Sequence, residues 1–378
     1  MGVYLDHAAT SPPSRAVLEA VWPYLTQVTG NPSSAHGPGR DAKAALDAAR
    51  EMAAAVLGCR PGEVVFTAGG TEADNLAVTG IARADPRGRH VVTSAIEHPA
   101  VLETALALRG EGFRVDVVGV DRDGVLDLDE LAAVLTPATT LVSVMAANNE
   151  VGTLQPLAEV SALTRPLGVP LHTDAVQAAG HVGVRLDDLG VDALTVSAHK
   201  LGGLRGAGLL AVRGAVPLSP VLHGGGQERG RRPGTVDVAS AVGTAVALHL
   251  AEEARASETP RLTALRDELV DGVLATVPGA ALTGHRRLRL PHHASFTFAG
   301  VGGETVLAEL EQSGIVCSSG SACSADSEDA SHVLLALGLD ADLARTAVRF
   351  TLGPTPTAED VAEVLRAVPA AVRSASLI

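Results

Sequence analysis

Lysine is nearly missing from this chain. Of its 29 cationic side chains only Lys43 and Lys200 are lysines, and every other one is arginine. Aromatic residues make up 2% of the sequence against 46% hydrophobic residues in all, so any core must be built from Ala, Val and Leu. No apolar run approaches the ~18 residues a membrane span needs. The opening "MGVYLDHAAT" puts Asp6 and His7 where a signal peptide requires an unbroken apolar stretch. A cytoplasmic protein is therefore predicted, with no membrane contact. A net charge of -14 argues against nucleic acid as a direct partner, because phosphate backbones call for clustered Lys and Arg. Only "ERGRRPG" at 228–234 is densely basic. Three cysteines, Cys59, Cys317 and Cys323, form neither a disulfide framework nor a zinc spacing. The pair His292–His293 has no partner at ligand spacing, so it reads as structural and no metal is expected. The P-loop and the GxGxxG dinucleotide fingerprint are both absent.

What is present is a regular alternation. The 378 residues are enough for two domains, each with its own core. Short apolar runs end in polar or small residues: "EVVFTA" runs into Gly69-Gly70-Thr71, "HVVTSA" into Glu97-His98, and "TLVSVMA" into Asn148-Asn149-Glu150. "VPLHT" leads to Asp174 and "DALTVSA" to His199-Lys200. Helical patterns lie between most of them, which predicts a mostly parallel sheet buried on both faces, an α/β fold. "GAGLLAVR" at 206–213 follows too closely for a crossover helix and is predicted to be an antiparallel neighbour. In the stretch 41–57, Leu46, Ala49, Ala53, Val56 and Leu57 share a helical face, and Gly58 follows as a C-cap. Beyond about residue 237, two long helical patterns precede "ASFTF", a helix from Glu304 to Gln312, "GIVCSSGSACS" and "TAVRFTLG". Without strict alternation, these predict a smaller α+β domain.

In open α/β sheets ligands bind beyond the carboxyl ends of the strands. Gly70, His98, Asn149, Asp174 and Lys200 each fall just past such an end. A lysine and an aspartate placed this way suit pyridoxal phosphate, the amine forming a Schiff base and the carboxylate pairing with the pyridinium nitrogen. Arginine cannot serve as that amine, which gives a reason for keeping Lys200. Gly69-Gly70-Thr71 opens a helix whose free N–H groups suit the cofactor phosphate, although such turns also cap ordinary helices. Cys323 lies in "SSGSACSADSEDASH", with no apolar partner from Ser318 to Ser331. A cysteine in such a polar loop is available as a nucleophile, whereas Cys59 and Cys317 read as structural. Arg349, between Val348 and Phe350 in a strand-like run, can grip a carboxylate through two bonds or form a rim ion pair.

These residues sit in motifs that together resemble the NifS/IscS-like cysteine desulfurases, pyridoxal-phosphate enzymes of fold type I within the class V aminotransferases. The motifs are "YLDHAATSP", "NPSSAHGPGR", "VFTAGGTEADNLA", "EHPAV", "ANNEVGT", "HTDAVQAAG", "SAHK", "HGGGQERGRRPGT", "SSGSACS" and "VRFTLG", in the family's order and over nearly the whole chain. The resemblance implies a seven-stranded, mostly parallel sheet sandwiched by helices over 13–254. A small domain from 1–12 and 255–378 would carry the cysteine loop and Arg349. It implies Lys200 as the Schiff-base lysine, Asp174 as the ring-nitrogen partner, and His98 as the stacked and proton-moving residue. Asn149 and Gln177 would meet the ring hydroxyl. Gly70, Thr71, Ser197 and His199 would hold the phosphate, with Thr235 reaching in from the other subunit of a homodimer. Arg349 would bind the substrate carboxylate, with Asn149 also contacting substrate, and Cys323 would take sulfur from L-cysteine as a persulfide, leaving L-alanine, and pass it to acceptor proteins for iron–sulfur assembly or thiolation.

Two departures stand out. "LGGLRG" lacks the proline the family often has after its lysine. Pro369 is expected to break the last helix, and with the short end after it, scaffold docking through the additional segment of long-tailed relatives is not expected. Three alternatives carry other activities: a selenocysteine lyase, a class V aminotransferase, and a non-catalytic cofactor- or partner-binding protein. The Cys323 loop counts against the aminotransferase, and the joint presence of Lys200 and Cys323 against the non-enzyme.

Overall fold

The computed structural model describes residues 2–320 and 330–376. At its centre is a seven-stranded sheet in the order Val64–Thr67, Gly208–Val212, Ala193–Ser197, Leu171–Asp174, Leu141–Ser143, His90–Ser94 and Arg114–Val118. All neighbours are parallel except Gly208–Val212, which runs antiparallel to both of its partners, as predicted for 206–213. Six of these strands are wholly buried, as expected for a sheet with helices on both faces. The seventh, Arg114–Val118, is a half-exposed edge strand that the sequence reading passed over. Its Arg114 and Asp116 interrupt the apolar run, as an edge allows.

The helix Gly37–Leu57 ends on Gly58 in the left-handed region (φ 66°), the conformation glycine enters without a Cβ penalty. The C-terminal half adds a three-stranded antiparallel sheet, with His293–Phe298 between Val348–Thr351 and Ala280–Leu282. The chain's start joins it there, since Val3–Tyr4 pairs in parallel with Ile315–Val316. Apolar side chains gather mainly into a cluster beneath the large sheet's helices and another around the small sheet. Three of the five phenylalanines, Phe296, Phe298 and Phe350, lie in the latter.

Two helices run through prolines, one of them against expectation. The two helical patterns after 237 are one helix, Val238–Thr276, of 39 residues with Pro260 inside it. The carbonyl that Pro260 leaves without its helical donor, four residues back at Ala256, belongs to an exposed residue open to solvent. Pro369 does not break the last helix, which runs Ala358–Ala375. Its buried stripe of Val361, Val364, Val368, Ala371, Val372 and Ala375 continues across the proline. A buried Val contributes ~1.5–3 kcal/mol, so several of them outweigh the ~3 kcal/mol that a proline costs inside a helix.

Candidate active site

The C-terminal strand ends of the large sheet open onto a cavity of about 500 Å³. Its floor is Asp174, the last residue of its strand, 5% exposed, whose Oδ1 accepts the Val176 N–H at 2.8 Å. Burial pushes this carboxyl above the ordinary range, while His98, the Val176 amide and Lys200 pull it back. Beside it the Lys200 ammonium donates to the carbonyls of Ala8 (2.5 Å) and Ala9 (2.6 Å). Gln177 Nε2 donates to the same Ala8 carbonyl at 3.0 Å, so one N-terminal loop organises both side chains.

The helix Gly70–Ala84 points its N-terminus into the cavity. Its N-cap, Gly69 (φ 144°), supplies no side-chain cap, unlike Ser14, Asp127 or Asp237 at other helix starts. The first-turn amides and the helix dipole therefore face the cavity without a built-in acceptor, an arrangement that suits an anion. Close packing demands the second glycine: a Cβ on Gly70 would stand 3.0 Å from Val176 Cγ2 and 3.4 Å from Ser197 Cβ. Thr71, Ser197 and His199 line the same end. His199 Nδ1 lies 3.2 Å from Thr10 Oγ1, and burial, with Lys200 and Arg205 nearby, lowers the ring to about 4, so it is neutral. His98 caps the helix Pro99–Ala107, its Nδ1 accepting the Ala100 N–H at 3.1 Å.

Arg349 enters from the small sheet. It is 2% exposed, pairs with Asp6 at 2.8 Å, and donates to the carbonyls of Asn149 (2.9 Å) and Gly320 (3.2 Å). It is thus a buried, braced guanidinium lining the cavity and not a rim ion pair. Gly70, Thr71, His98, Asn149, Asp174, Gln177, Ser197, His199, Lys200 and Arg349 all meet in this one space. Thr235 does not; it is exposed on the loop beyond Arg232. Cys323 lies outside the described residues. Cys317, by contrast, is half-buried, and desolvation, with Asp6 adding to it, pushes its thiol up to about 12. Cys59 is raised to about 11 for the same main reason, so neither is a ready thiolate. His292 is stacked on His181, ring centres 3.6 Å apart, deep in the protein. Among the described residues no group of three or more His, Cys, Asp or Glu is arranged to hold a metal.

Sequence reasoning missed Asp6, the Ala8 and Ala9 carbonyls, Asp74 and Glu97. Asp6 stood in a quoted motif, but nothing local shows that its partner is 343 positions away. The carbonyls leave no trace in side-chain chemistry.

Residues 3–364 match the family described as aminotransferase class-V. The chain belongs to that family. Class V aminotransferases, among them the cysteine desulfurases, are pyridoxal-phosphate enzymes. Among its relatives, the "IscS-like cysteine desulfurase" of Mycobacterium tuberculosis is 46% identical, the alignment covering 98% of this chain and 96% of that protein. "Cysteine desulfurase IscS" of Dictyoglomus turgidum is 44% identical over 95% of this chain and 91% of its own. A solved structure titled "NIFS-LIKE PROTEIN" superposes with a TM-score of 0.92 at 38% identity, covering 99% of this class V chain and all of that one.

Proposed function

We propose that this chain is a pyridoxal-phosphate-dependent cysteine desulfurase, converting L-cysteine to L-alanine and retaining the sulfur on Cys323. The observation that carries it is a single cavity lined by Lys200, Asp174 and Arg349, in a class V chain 46% identical to a cysteine desulfurase. The cavity's donor set fits the cofactor. An uncapped helix end with Gly70, Thr71, Ser197 and His199 would take the phosphate, with Thr235 of a second copy completing it in a homodimer. Asp174 would hold the protonated ring nitrogen, Asn149 and Gln177 the ring hydroxyl, and His98 the ring face. Bound there, the cofactor supplies an electron-accepting ring that eases loss of the substrate's α-proton.

The chain's own residues do the rest. Arg349 binds the substrate carboxylate and fixes which bonds of Cα face the ring. Lys200, once its amine is free, takes the α-proton at Nζ, and His98 carries protons between substrate and solvent. The Cys323 thiolate attacks the substrate sulfur. An S–S bond forms, the C–S bond breaks, and its electron pair stays with carbon, which is protonated to the methyl group of alanine. The persulfide on Cys323 is then delivered to acceptor proteins. We assign the cofactor site to a large domain, 13–254, and the cysteine loop with Arg349 to a small one, 1–12 and 255–378. In this division the helix Val238–Thr276 belongs to both.

The test is alanine and sulfide release from L-cysteine with a thiol reductant, beside Cys323→Ser. Equal amounts of both products, lost in the variant, are expected. Alanine that survives the substitution, or no alanine at all, overturns the mechanism and leaves selenocysteine cleavage or transamination.

A further inference from the structure

Next to His98, Glu97 is completely buried. Both of its hydrogen-bond donors, the Ser94 hydroxyl at 2.7 Å and the Met145 N–H at 2.8 Å, go to one oxygen, Oε1. The other oxygen, Oε2, has no partner among the described residues. A carboxylate shares its charge between both oxygens and would leave Oε2 as a buried partial charge with nothing to answer it. A neutral acid fits better: its carbonyl oxygen takes the two donors and the other oxygen carries hydrogen. An unshared O–H costs far less than an unshared charge.

The surrounding groups point the same way. The acids that interact with it, Asp74 on the helix Gly70–Ala84 and Asp174 on the sheet, are both buried. His172 is held neutral, its ring lowered to about 3 by burial, and it lies 3.8 Å from Asp74 Oδ1. His332 meets the Glu97 backbone carbonyl at 3.0 Å and not its carboxyl. These three buried carboxyls act on one another, and Asp174 has both His98 and Lys200 drawing it toward the charged form.

We propose that Glu97 is a positioning residue that works as the neutral acid, so that the pocket's negative charge stays on Asp174. The part concerning Asp174 rests on the desulfurase reading; the protonation of Glu97 does not. Burial is the main cause pushing Glu97 up to about 8; Asp174 adds to it, and the bonds from Ser94 and Met145 oppose it. Asp74 is raised by burial and by Asp174. When Glu97 ionises, a second negative charge appears near Asp174, which then binds a proton more readily and ceases to be the ring's counter-charge.

The test uses the full chain with its cofactor, as wild type and as Glu97→Gln. Unfolded Glu97 releases its proton near 4.5 and folded Glu97 near 8, so wild type loses stability as pH rises between those values. Glutamine cannot titrate. The melting temperature of Glu97→Gln relative to wild type is therefore expected to climb by several degrees from about pH 5 to about pH 8. The variant-to-wild-type ratio of kcat/KM should sit near one at about pH 6.5 and reach roughly tenfold by about pH 9. A melting difference independent of pH, or a folded variant that is slow at about pH 6.5, overturns the proposal. Should the variant not fold, infrared spectra of wild type carrying carboxyl-labelled glutamate decide. A protonated band lost between about pH 7 and pH 9 supports the proposal, and its absence at about pH 6.5 overturns it. Melting needs no turnover, so this outcome is separable from failure of the desulfurase reading.

Discussion

Five strands of the central sheet each deliver a pocket residue at or just beyond the C-terminal end: Gly70, His98, Asn149, Asp174 and Lys200. The three-stranded sheet delivers one, Arg349, from within a strand. The strand-end residues are aimed by the backbone, and Lys200 is held further by the Ala8 and Ala9 carbonyls. Arg349 has to be held in place by an ion pair to Asp6 and two carbonyls, inside a core where a lone guanidinium would be costly. Function and stability are therefore separable on the large sheet and fused on the small one.

Lys200→Arg should show the separation most sharply. It keeps the cation beside the Ala8 and Ala9 carbonyls but removes the nucleophilic amine, so alanine formation should fall at least ~10³-fold. Its chemical-denaturation midpoint should stay close to wild type. Arg349→Ala should lose both properties: kcat/KM for L-cysteine falls ~10²-fold or more, and unfolding titrations lose ~3–5 kcal/mol because Asp6 is left with no counter-charge. If Arg349→Ala unfolds like wild type, the contrast between the sheets fails. Arg349→Lys keeps the charge without the planar fork, and a rise in KM of about tenfold is expected with little change in kcat. Pro369→Ala should leave turnover alone and raise stability by up to ~3 kcal/mol, since the helix already runs through that position.

The large sheet was legible because apolar runs that stop at a chemically capable residue mark a strand end directly. His98, Asn149, Asp174 and Lys200 were found that way, and the antiparallel strand Gly208–Val212 followed from the length of its connection. The edge strand Arg114–Val118 was not, because alternate polar residues dilute the apolar signal. The break expected at Pro369 failed, since local proline chemistry yielded to a packed stripe, and the two helical patterns after 237 proved to be one helix. The Asp6–Arg349 pair and the state of Glu97 depend on burial and on contacts far apart in sequence, which no local pattern encodes.

The helix Val238–Thr276, at 1.5 Å per residue, is a bar of roughly 58 Å. Toward one end its Ala247 packs with Leu201, the neighbour of Lys200. Immediately past Pro260, Arg261 holds the carbonyls of Gly353, Pro354 and Pro356, just beyond the strand that carries Arg349. One continuous helix thus touches both the segment that carries Lys200 and the segment that follows Arg349. A strain introduced at Pro260, inside that helix, would therefore be felt on both sides of the pocket from outside it.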